Sequence, residues 1–329
     1  MHTQLKTKIG VLLVNLGTPD SCNVADVSSF LKEFLLDGRV IDAPYLLRQL
    51  LVRLFIVPKR KKRIAETYKS IWSDKGSPLA HYSSALKEKL QSALGDDYYV
   101  SLGMRYQSPT LRSALLELEK VGAKSMIIIP LFPQHASATS GSIIEQVMRF
   151  IMRWNVFPHM HILSDFYNHP QFILSHVALA QKQILSEYDH ILFSFHGLPE
   201  RHVEKARLFN ANFCYKKSCY ETAALIAEKL SLASSEYTVA FQSRLGKEIW
   251  CQPYMSDVIE SLAKKGAKKV LVFSPSFVAD CLETLYEIKV ELQEEFKQHG
   301  GEKIDLVEGL NANDVWVDAL KKIIQEIRK

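Results

Sequence analysis

HILFSFHGLP, residues 190–199, is the stretch of sequence that decides the fold. It joins a run of apolar, strand-forming residues to a turn that contains glycine and proline. IGVLLVNLGTP, residues 9–19, has the same design near the beginning of the chain. Because the apolar character of both runs is nearly continuous rather than alternating, each predicts a strand of a parallel sheet that is covered on both faces.

Six further apolar runs accompany these two, and helical patterns separate most of them. This alternation predicts parallel sheets built from strand–helix–strand crossovers. The predicted strands are residues 9–14, 98–102, 125–129 and 159–163 in the first half, and 190–195, 237–241, 269–273 and 303–307 in the second. The predicted fold class is therefore α/β, with two similar Rossmann-like domains, each with a four-stranded parallel sheet flanked by helices.

The two halves also share landmarks outside their strands. GAKSMIIIP, residues 122–130, has a counterpart in GAKKVLVFSP, residues 266–275. A proline stands thirteen residues before the first glycine of each segment, at Pro109 and at Pro253. The matches occur in the same order in both halves, so they predict a duplicated four-stranded unit.

The duplication places the domain boundary beside the helical pattern that follows Asn168. We therefore predict an N-terminal domain at residues 1–170 and a C-terminal domain at residues 171–329. A last helix is predicted over residues 315–328, after Asn313, and it can pack on either domain.

Length and composition limit the class of protein. The 329 residues exceed what one hydrophobic core usually holds, and a net charge of +5 suits an anionic ligand or a membrane surface without predicting a nucleic-acid partner. The five cysteines are odd in number and scattered, which favours a reducing, cytoplasmic location. Asn15 interrupts the first apolar run, which predicts a strand rather than a signal peptide, and no run is long enough to span a membrane.

One candidate for chemistry stands at the end of a predicted strand. Ligands of open parallel sheets bind beyond the carboxyl ends of the strands, and His196 closes the apolar run 190–195 there. A single histidine in such a place is about as often a buried core residue as a functional one. Its position before glycine and proline favours function.

Three carboxylates follow the third strand of the same half. Asp280, Glu283 and Glu287 are spaced i, i+3 and i+7, so an α-helix would carry all three on one face. Such a row is more often a solvated helix surface than a site. Imidazole and carboxylate together, however, are a suitable ligand set for Fe(II) and similar divalent ions.

The first half supplies further polar and apolar residues at its own strand ends. Leu16 follows the first strand, and Arg105 and Tyr106 follow the second. The small, hydroxyl-rich segment at residues 133–142 follows the third strand. It can bind an anion through backbone N–H groups or cap a helix.

Several stretches resemble the signature sequences of the ferrochelatase family, most closely those of its proteobacterial branch. They are NLGTP (15–19), FLKEFLLDGRVID (30–42), YKSIWSDKGSPL (68–79), PLFPQHASATSGS (130–142), FHGLP (195–199), FQSRLGKEIW (241–250) and ADCLETLYE (279–287). The resemblance covers nearly the whole chain. It implies two chelatase-type α/β domains with a porphyrin in the cleft between them. It also implies insertion of ferrous iron into protoporphyrin IX to form protoheme, the terminal step of heme biosynthesis.

The resemblance also implies roles for single residues. His196 and Glu283 match the catalytic pair, which is also the metal site, while Asp280 and Glu287 match an acidic row that relays protons or metal. Positions that line the porphyrin pocket are matched by Leu16, Arg105, Tyr106, Ser243 and Trp250. A histidine can accept a pyrrole proton or ligate iron near neutral pH, and the sequence leaves both roles open for His196.

Two departures from family patterns bear on substrate and cofactor. Leu16 stands where coproporphyrin-using relatives from Gram-positive bacteria have tyrosine, which favours protoporphyrin. The cysteine-rich tail that holds a two-iron cluster in animal relatives is not present in the last residues, KKIIQEIRK. Cys214 and Cys219 form a C-x₄-C pair, but a cluster needs four thiolates. We therefore expect ferrous iron as substrate, no organic cofactor and no iron–sulfur cluster.

A basic amphipathic segment at residues 45–63 forms a predicted porphyrin lip. Residues 45–56 place leucines on one helical face, and KRKKR, residues 59–63, follows. Such a segment can lie on an anionic membrane, or it can be a core helix followed by a solvated run of charges. The pattern slightly favours the core helix, but the implied porphyrin substrate is apolar and membrane-derived. Taken together, the two interpretations are about equally supported.

Three other functions compete with iron insertion. A sister chelatase that loads cobalt or nickel would usually have more histidines at the metal site, and a heme carrier would not need three carboxylates opposite His196. A hydrolase that uses Ser194 is disfavoured because no G-x-S-x-G turn surrounds that serine.

Overall fold

The computed structural model describes residues 8–246 and 248–328. The chain forms two compact units. The first contains the described residues up to Phe132, the segment Ala136–Asp165 and the residues from Ala312 onward. The second contains Pro133–His135 and Phe166–Asn311. The chain thus changes unit after Asp165, where the sequence predicts a boundary after residue 170, and it returns to the first unit before the last helix.

Each unit is built on a four-stranded parallel sheet, as predicted. The first sheet has the order β2-β1-β3-β4 and the second the equivalent order β6-β5-β7-β8. The strands are β1 (Ile9–Gly17), β2 (Tyr98–Tyr106), β3 (Ser125–Pro130), β4 (His159–Ile162), β5 (His190–His196), β6 (Tyr237–Gln242), β7 (Lys269–Phe273) and β8 (Lys303–Leu306). All eight predicted strands are present, and the α/β class with two similar sheets is confirmed.

Helices separate the strands and cover the sheets. They are α1 (Val24–Leu35), α2 (Tyr45–Leu50), α3 (Val57–Ile71), α4 (Pro78–Leu94), α5 (Leu111–Lys120), α6 (Ser142–Ile151), α7 (Pro170–Ala180), α8 (Glu200–Phe209), α9 (Tyr215–Lys229), α10 (Met255–Lys264), α11 (Leu282–Leu285), α12 (Gln293–Gln298) and α13 (Asp314–Ile327). Segments of π-helix occur at Leu51–Ile56, Ser137–Gly141 and Glu287–Leu292, and a 3₁₀ turn at Leu185–Glu187. Among the described residues, no helix is long and apolar enough to cross a bilayer.

The core of each unit lies between the sheet and its helices. In the first unit Leu12 of β1 and Ile128 of β3 pack in one cluster with Leu115 of α5. In the second unit Val270 of β7 packs in one cluster with Phe296 of α12. Deleting most of one such side chain costs about 2–5 kcal/mol, so the strand ends that follow these residues are held firmly in place.

The second strands of the two sheets end in equivalent ways. The N–H of Met104 donates to Pro109 O at 2.7 Å, and the N–H of Phe241 donates to Pro253 O at 2.9 Å. Directly after each strand stands a non-glycine residue with left-handed backbone, Gln107 with φ 65° or Ser243 with φ 66°. The shared strand order and these shared turns support the predicted duplication.

The second strand of the first sheet is longer than predicted. Gly103 and Met104 continue the pairing of β2 with β1, so that Arg105 and Tyr106 are the last residues of the strand rather than the first of a loop. A Cβ atom on Gly103 would lie 3.0 Å from Leu111 Cα. The close approach of α5 therefore requires a glycine at this position. Because glycine has a weak strand propensity, the sequence pattern does not predict that β2 continues beyond it.

The single helix predicted to carry Asp280, Glu283 and Glu287 is wrong. Helix α11 begins at Leu282 and has one turn, and a π-helical segment begins at Glu287. Cys281 is extended, with φ −149° and ψ −168°, and its backbone N–H donates to Thr284 Oγ1 at 3.0 Å. This cap starts the helix after Asp280, so Asp280 belongs to the preceding loop.

Candidate functional site

His196 is the last residue of β5 and pairs in register with Gln242 of β6. Its Nδ1 lies 2.6 Å from Gly197 O. Because a carbonyl oxygen only accepts, this contact assigns the ring proton to Nδ1 and leaves the lone pair of Nε2 available to a proton or a metal ion. Tyr215 Oη donates to the backbone oxygen of His196 at 2.7 Å and fixes the strand end from the other side.

Gly197 is required by the close contact between β5 and β6. Its N–H donates to Gln242 O at 2.8 Å, and a Cβ atom at this position would lie 2.9 Å from the same oxygen. Any larger residue would therefore push the two strands apart. The glycine of the FHGLP motif is thus explained by backbone packing, and it holds His196 at the sheet edge.

Gln242 organises the acidic part of the site, although sequence analysis did not single it out. It is buried, and its Nε2 donates both to Glu283 O and to Glu287 Oε2, each at 2.9 Å. Its Oε1 accepts a hydrogen bond of 2.5 Å from Ser194 Oγ. The hydroxyl therefore sets the orientation of the amide. The sequence does contain a signal for Gln242, since it is a polar residue at the end of the apolar run of β6 and lies inside the FQSRLGKEIW motif.

Glu287 is a buried carboxyl with two hydrogen-bond donors on one oxygen. Ser243 Oγ donates to its Oε2 at 2.5 Å beside the bond from Gln242. Burial raises the pKa of Glu287 above its usual value, and the negative charge of Glu283 adds to the rise. The hydrogen bonds from Ser243 and Gln242 and the charge of His196 act in the opposite direction without cancelling it.

Gln242 connects the residues of this site. It pairs with His196 across β5 and β6, and its amide donates to the backbone oxygen of Glu283 and to the carboxylate of Glu287. Phe277 of the loop after β7 lies edge-on to the imidazole, with ring centroids 6.3 Å apart. His196, Glu283 and Glu287 are therefore each linked through Gln242 to the carboxyl end of the second sheet.

Asp280 lies in different surroundings from the two glutamates. Its Oδ1 accepts from Thr284 Oγ1 at 2.9 Å, and its Oδ2 accepts from Asn311 Nδ2 at 2.8 Å and from the N–H of Gly309 at 3.2 Å. The residue is only 5% exposed. Three protein donors thus occupy the carboxylate that the family resemblance assigns to a proton or metal relay.

Ser243 begins the loop that follows β6, and Trp250 lies further along the same loop. The indole Nε1 of Trp250 donates to Leu245 O at 2.9 Å, and its backbone forms a bridge with Pro199, three residues after His196. The side chain is part-buried. Both residues of the predicted porphyrin pocket in this loop therefore belong to the same unit as His196.

In the first unit, Arg105 and Tyr106 converge on Asp37. The guanidinium of Arg105 donates to Asp37 Oδ2 at 2.5 Å, and Tyr106 Oη donates to the same oxygen at 3.0 Å. Ser142 Oγ is a third donor at 2.5 Å. Burial works to raise the pKa of Asp37, but the hydrogen bonds from Ser142 and the Arg39 N–H, with the charge of Arg105, lower it below its usual value.

This network limits the interactions that Arg105 and Tyr106 can make with a ligand. Tyr106 is fully buried, and burial raises the pKa of its phenol far above the usual value. The guanidinium of Arg105 also lies over the Tyr106 ring, 4.5 Å from its centroid. Asp37, which sequence analysis missed, neutralises Arg105. The run LLDGRV around it reads as a helix end, so nothing in the pattern marks this aspartate as a partner.

Leu16 and the segment at residues 133–142 complete the first-unit candidates. Leu16 is part-buried near the end of β1, and its N–H contacts Asn15 Oδ1 at 2.8 Å. Within the hydroxyl-rich segment, Ser137 Oγ accepts from Arg39 at 2.9 Å and Ser142 donates to Asp37. Neither α6 nor the π-helical turn before it has a side-chain cap.

The structure describes candidate metal ligands at residues 8–246 and 248–328. No group of three or more histidine, cysteine, aspartate or glutamate side chains in these ranges is spaced to hold a metal ion. Cys219, Cys251 and Cys281 are buried free thiols, and burial raises the pKa of each of them.

The lip segment exposes its apolar side chains. Leu46 is 79% exposed and Leu54 60%, and Tyr45, Leu47, Leu50 and Phe55 are also exposed. Val52 and Val57 face inward and are buried. Most leucines of the segment are therefore on the surface, which differs from the core-helix interpretation.

Sequence comparison gives one consistent result. The family model described as ferrochelatase matches residues 8–327. A ferrochelatase of Legionella pneumophila (strain Lens) is 42% identical over 329 residues, with 96% of this chain and 98% of the relative covered. A ferrochelatase of Coxiella burnetii (strain Dugway 5J108-111) is 43% identical over 337 residues, with 97% and 94% covered.

Structure comparison agrees at the level of the fold. The structure of SirB from Bacillus subtilis with Fe3+ has a TM-score of 0.56 at 12% identity, covering 98% of this chain and 96% of that one. CbiX, the terminal enzyme of siroheme biosynthesis in denitrifying bacteria, has a TM-score of 0.52 at 13% identity, covering 96% and 98%. The arrangement of two four-stranded sheets is therefore shared with chelatases over nearly the full chain.

Proposed function

The chain belongs to the ferrochelatase family, which inserts ferrous iron into protoporphyrin IX to form protoheme, and we propose that His196 and Glu283 carry this reaction. The observation that supports the assignment is that Gln242, at the carboxyl edge of the second sheet, pairs with His196 and donates to both Glu283 and Glu287. Iron is a substrate of the reaction, which is the last step of heme biosynthesis.

The reaction exchanges two pyrrole protons for one divalent ion. His196 has the chemistry for the first task, because its Nδ1 proton is engaged with Gly197 O and its Nε2 lone pair is available. At Nε2 the imidazole can accept a pyrrole proton or ligate the entering ion, and in either role the reacting atom is the same. Glu283 supplies negative charge that offsets the charge of the iron.

Glu287 is suited to receive the released protons. A general base works best when its pKa lies near the pH of the medium, and burial with the adjacent charge of Glu283 moves the pKa of Glu287 upward in that direction. Gln242 and Ser243 hold the carboxylate in place while it exchanges protons. Asp280 has no such freedom, and we assign it a positioning role instead of the relay role.

The porphyrin contacts follow from side chains at the strand ends. The family resemblance supports Leu16 and Trp250 as porphyrin contacts, and bending of the ring by apolar contacts would expose a nitrogen lone pair to the metal. Arg105 is neutralised by Asp37 and Tyr106 is buried. These two residues would therefore shape the pocket wall rather than pair with substrate carboxylates.

The experiment that tests the function uses purified protein with Fe(II) and protoporphyrin IX under anaerobic conditions. The porphyrin absorbance should convert to that of heme at a rate proportional to enzyme. His196→Ala should bind the porphyrin, detected by quenching of its fluorescence, and should not metallate it. Unchanged turnover in this variant would refute the site.

We further propose that the lip segment contacts an anionic membrane. Its exposed leucines offer apolar area, and KRKKR at residues 59–63 lies in the next helix, α3. Each basic residue near an anionic surface contributes about 1 kcal/mol, and buried leucine side chains add an attraction that salt does not screen. The membrane is where a poorly soluble porphyrin is concentrated, so docking there would bring enzyme to substrate.

A further inference from the structure

A buried pair, Asn311 and Asp280, links the loop after β8 to the loop before α11. Asn311 Oδ1 accepts from the N–H of Asp280 at 2.8 Å, and Asn311 Nδ2 donates to Asp280 Oδ2 at 2.8 Å. The backbone N–H of Asn311 donates to Val278 O at 2.7 Å. The two side chains are 6% and 5% exposed, so water does not compete for these bonds.

The backbone of Asn311 is adapted to this contact. Its φ is 49°, in the left-handed region that asparagine tolerates better than most residues. Gly309, two residues earlier, donates to Asp280 Oδ2, and a Cβ atom there would lie 3.0 Å from the Asp280 nitrogen and 3.2 Å from Asn311 Oδ1. The loop thus combines a glycine that leaves space with an asparagine that fills both bonding positions.

The same segment is held from the opposite side by the site itself. Gln242 donates to the backbone oxygen of Glu283, and Thr284 Oγ1 donates to Asp280 Oδ1. Glu283 therefore lies between two fixed points, Gln242 on β6 and the Asp280–Asn311 pair. Glu283 is the second residue of α11, three positions after Asp280, so it directly follows the segment that this pair fixes.

We propose that Asn311 is a positioning residue for iron insertion, which acts through Asp280 to hold the carboxylate of Glu283 where the entering iron requires it. This inference rests on the proposed role of Glu283. Asn311 itself touches neither the iron nor the porphyrin. It fixes the segment at residues 278–281, and a shift of that segment moves Glu283 relative to the iron.

The central test is Asn311→Gly, which keeps the left-handed backbone and removes only the side chain. We expect kcat/KM for ferrous iron to fall about 10- to 100-fold, as for small misplacements of a reacting group. The KM for protoporphyrin and the fluorescence quenching on porphyrin binding should stay unchanged. Ser231→Gly is the matched control, since Ser231 is an exposed left-handed residue, φ 58°, in the turn after α9.

An exchange of the two side chains separates positioning from folding. Asn311→Asp sets two carboxylates against each other and should lower kcat/KM for iron. Combined with Asp280→Asn, it restores one carboxylate and one amide with the donor now on residue 280. The Gly309 N–H then loses its acceptor on Oδ2, so we expect the recovery to be partial. Activity of the double variant well above that of both single variants supports the proposal. An exchange that recovers nothing overturns it, including the case in which the single variants fold poorly.

Comparison with Glu283→Gln distinguishes this inference from the proposed function. If Asn311 acts through Glu283, adding Asn311→Gly to Glu283→Gln should cause no further loss. Wild-type kinetics of Glu283→Gln would refute the proposed site, whatever Asn311 does. Impaired Glu283→Gln with wild-type Asn311→Gly would refute only the positioning role, as would a loss in Asn311→Gly that is accompanied by weaker porphyrin binding in the fluorescence-quenching assay.

Discussion

Gln242 and Glu287 are joined by a hydrogen bond of 2.9 Å from the amide Nε2 to the carboxylate Oε2. The two residues come from different elements, since Gln242 ends β6 and Glu287 begins a π-helical segment. Ser194 holds the other end of the amide, so its orientation is determined. The acidic residues are thus positioned by the sheet, with a hydroxyl, an amide and a carboxylate in one chain of hydrogen bonds.

Loss of the imidazole should abolish metallation. In His196→Ala no Nε2 remains to accept a pyrrole proton or bind iron, and we expect turnover to fall to background while porphyrin binding persists. His190→Gln is the matched control, because His190 begins the same strand and its Nε2 contacts Thr238 Oγ1 at 2.8 Å. Absorbance assays of both variants check the expectation. Comparable activities in the two variants would contradict it.

Neutralising Glu283 should slow the chemical step. Glu283→Gln keeps the volume and removes the charge, so kcat should fall by about tenfold or more, equivalent to about 1.4 kcal/mol in the barrier. Glu287→Gln should cost less if this residue relays protons. Steady-state kinetics with iron and porphyrin varied separately measure both effects. A larger loss in Glu287→Gln than in Glu283→Gln would reverse the assigned roles.

The raised pKa of Glu287 predicts a pH-dependent stability difference. Burial and the charge of Glu283 raise this pKa above the unfolded value, 4.5, so the folded protein binds the proton more tightly. The stabilisation from this group is complete below the unfolded pKa and is lost as the pH rises through the folded pKa. Glu287→Gln has no such titration. Its free energy of unfolding, relative to wild type, should therefore increase with pH in urea titrations. A difference independent of pH would show that the burial penalty is absent.

Removing the Ser194 hydroxyl should weaken the site without touching substrate. Ser194→Ala leaves Gln242 Oε1 without its buried donor, which typically costs about 1–3 kcal/mol, and frees the amide to rotate. We expect a lower melting temperature and a reduced kcat. Ser175→Ala is the control, because Ser175 is equally buried but its hydroxyl bonds only to the helix carbonyl of Gln171. Equal effects of the two substitutions would argue against a specific role of Ser194.

The lip segment should bind vesicles that contain anionic lipid. Changing Lys59, Lys61 and Lys62 to glutamine removes three charges and should weaken binding, with the salt dependence reduced as well, since surface charges are screened beyond about 8 Å at physiological ionic strength. Turnover in detergent should not change. Vesicle sedimentation at two salt concentrations measures the effect.

A matched triple variant controls for net charge in that experiment. Lys264, Lys265 and Lys268 are exposed residues of the second unit, and their change to glutamine removes the same number of charges. This variant should bind anionic vesicles like the wild type. The proposal would be wrong if the wild type bound neutral and anionic vesicles equally, or if both triple variants weakened binding equally. The basic run would then be an ordinary solvated surface.

The sequence predicts the strands well because each is a buried apolar run. Lys269–Phe273 matches its predicted range, and His196 lies at the strand end where it is expected. The apolar pattern does not predict element boundaries that are set by contacts with other parts of the chain. Gly103 interrupts the apolar run of β2 although the strand continues, and the hydrogen bond from Cys281 to Thr284 starts a new helix after Asp280.

The partners of the site residues could not be predicted for a related reason. Asp37 lies 68 positions from Arg105 in the chain, and Gln242 lies 45 positions from Glu287. A sequence pattern describes neighbours on one strand or helix, whereas these bonds join the ends of different elements. Residue type marks Asp37 and Gln242 as polar, but only the folded backbone shows which donor each one meets.

The strand order shared by the two sheets has an evolutionary consequence. Within the motifs VNLGTP and SFHGLP, Leu16 takes the position that His196 takes in the second unit, and each is followed by a glycine whose Cβ would meet the neighbouring strand. A chain that arose by gene duplication needs only one imidazole for one macrocycle. The two units thus keep the same backbone turn with a glycine, while the residue before that glycine differs, leucine in the first unit and histidine in the second.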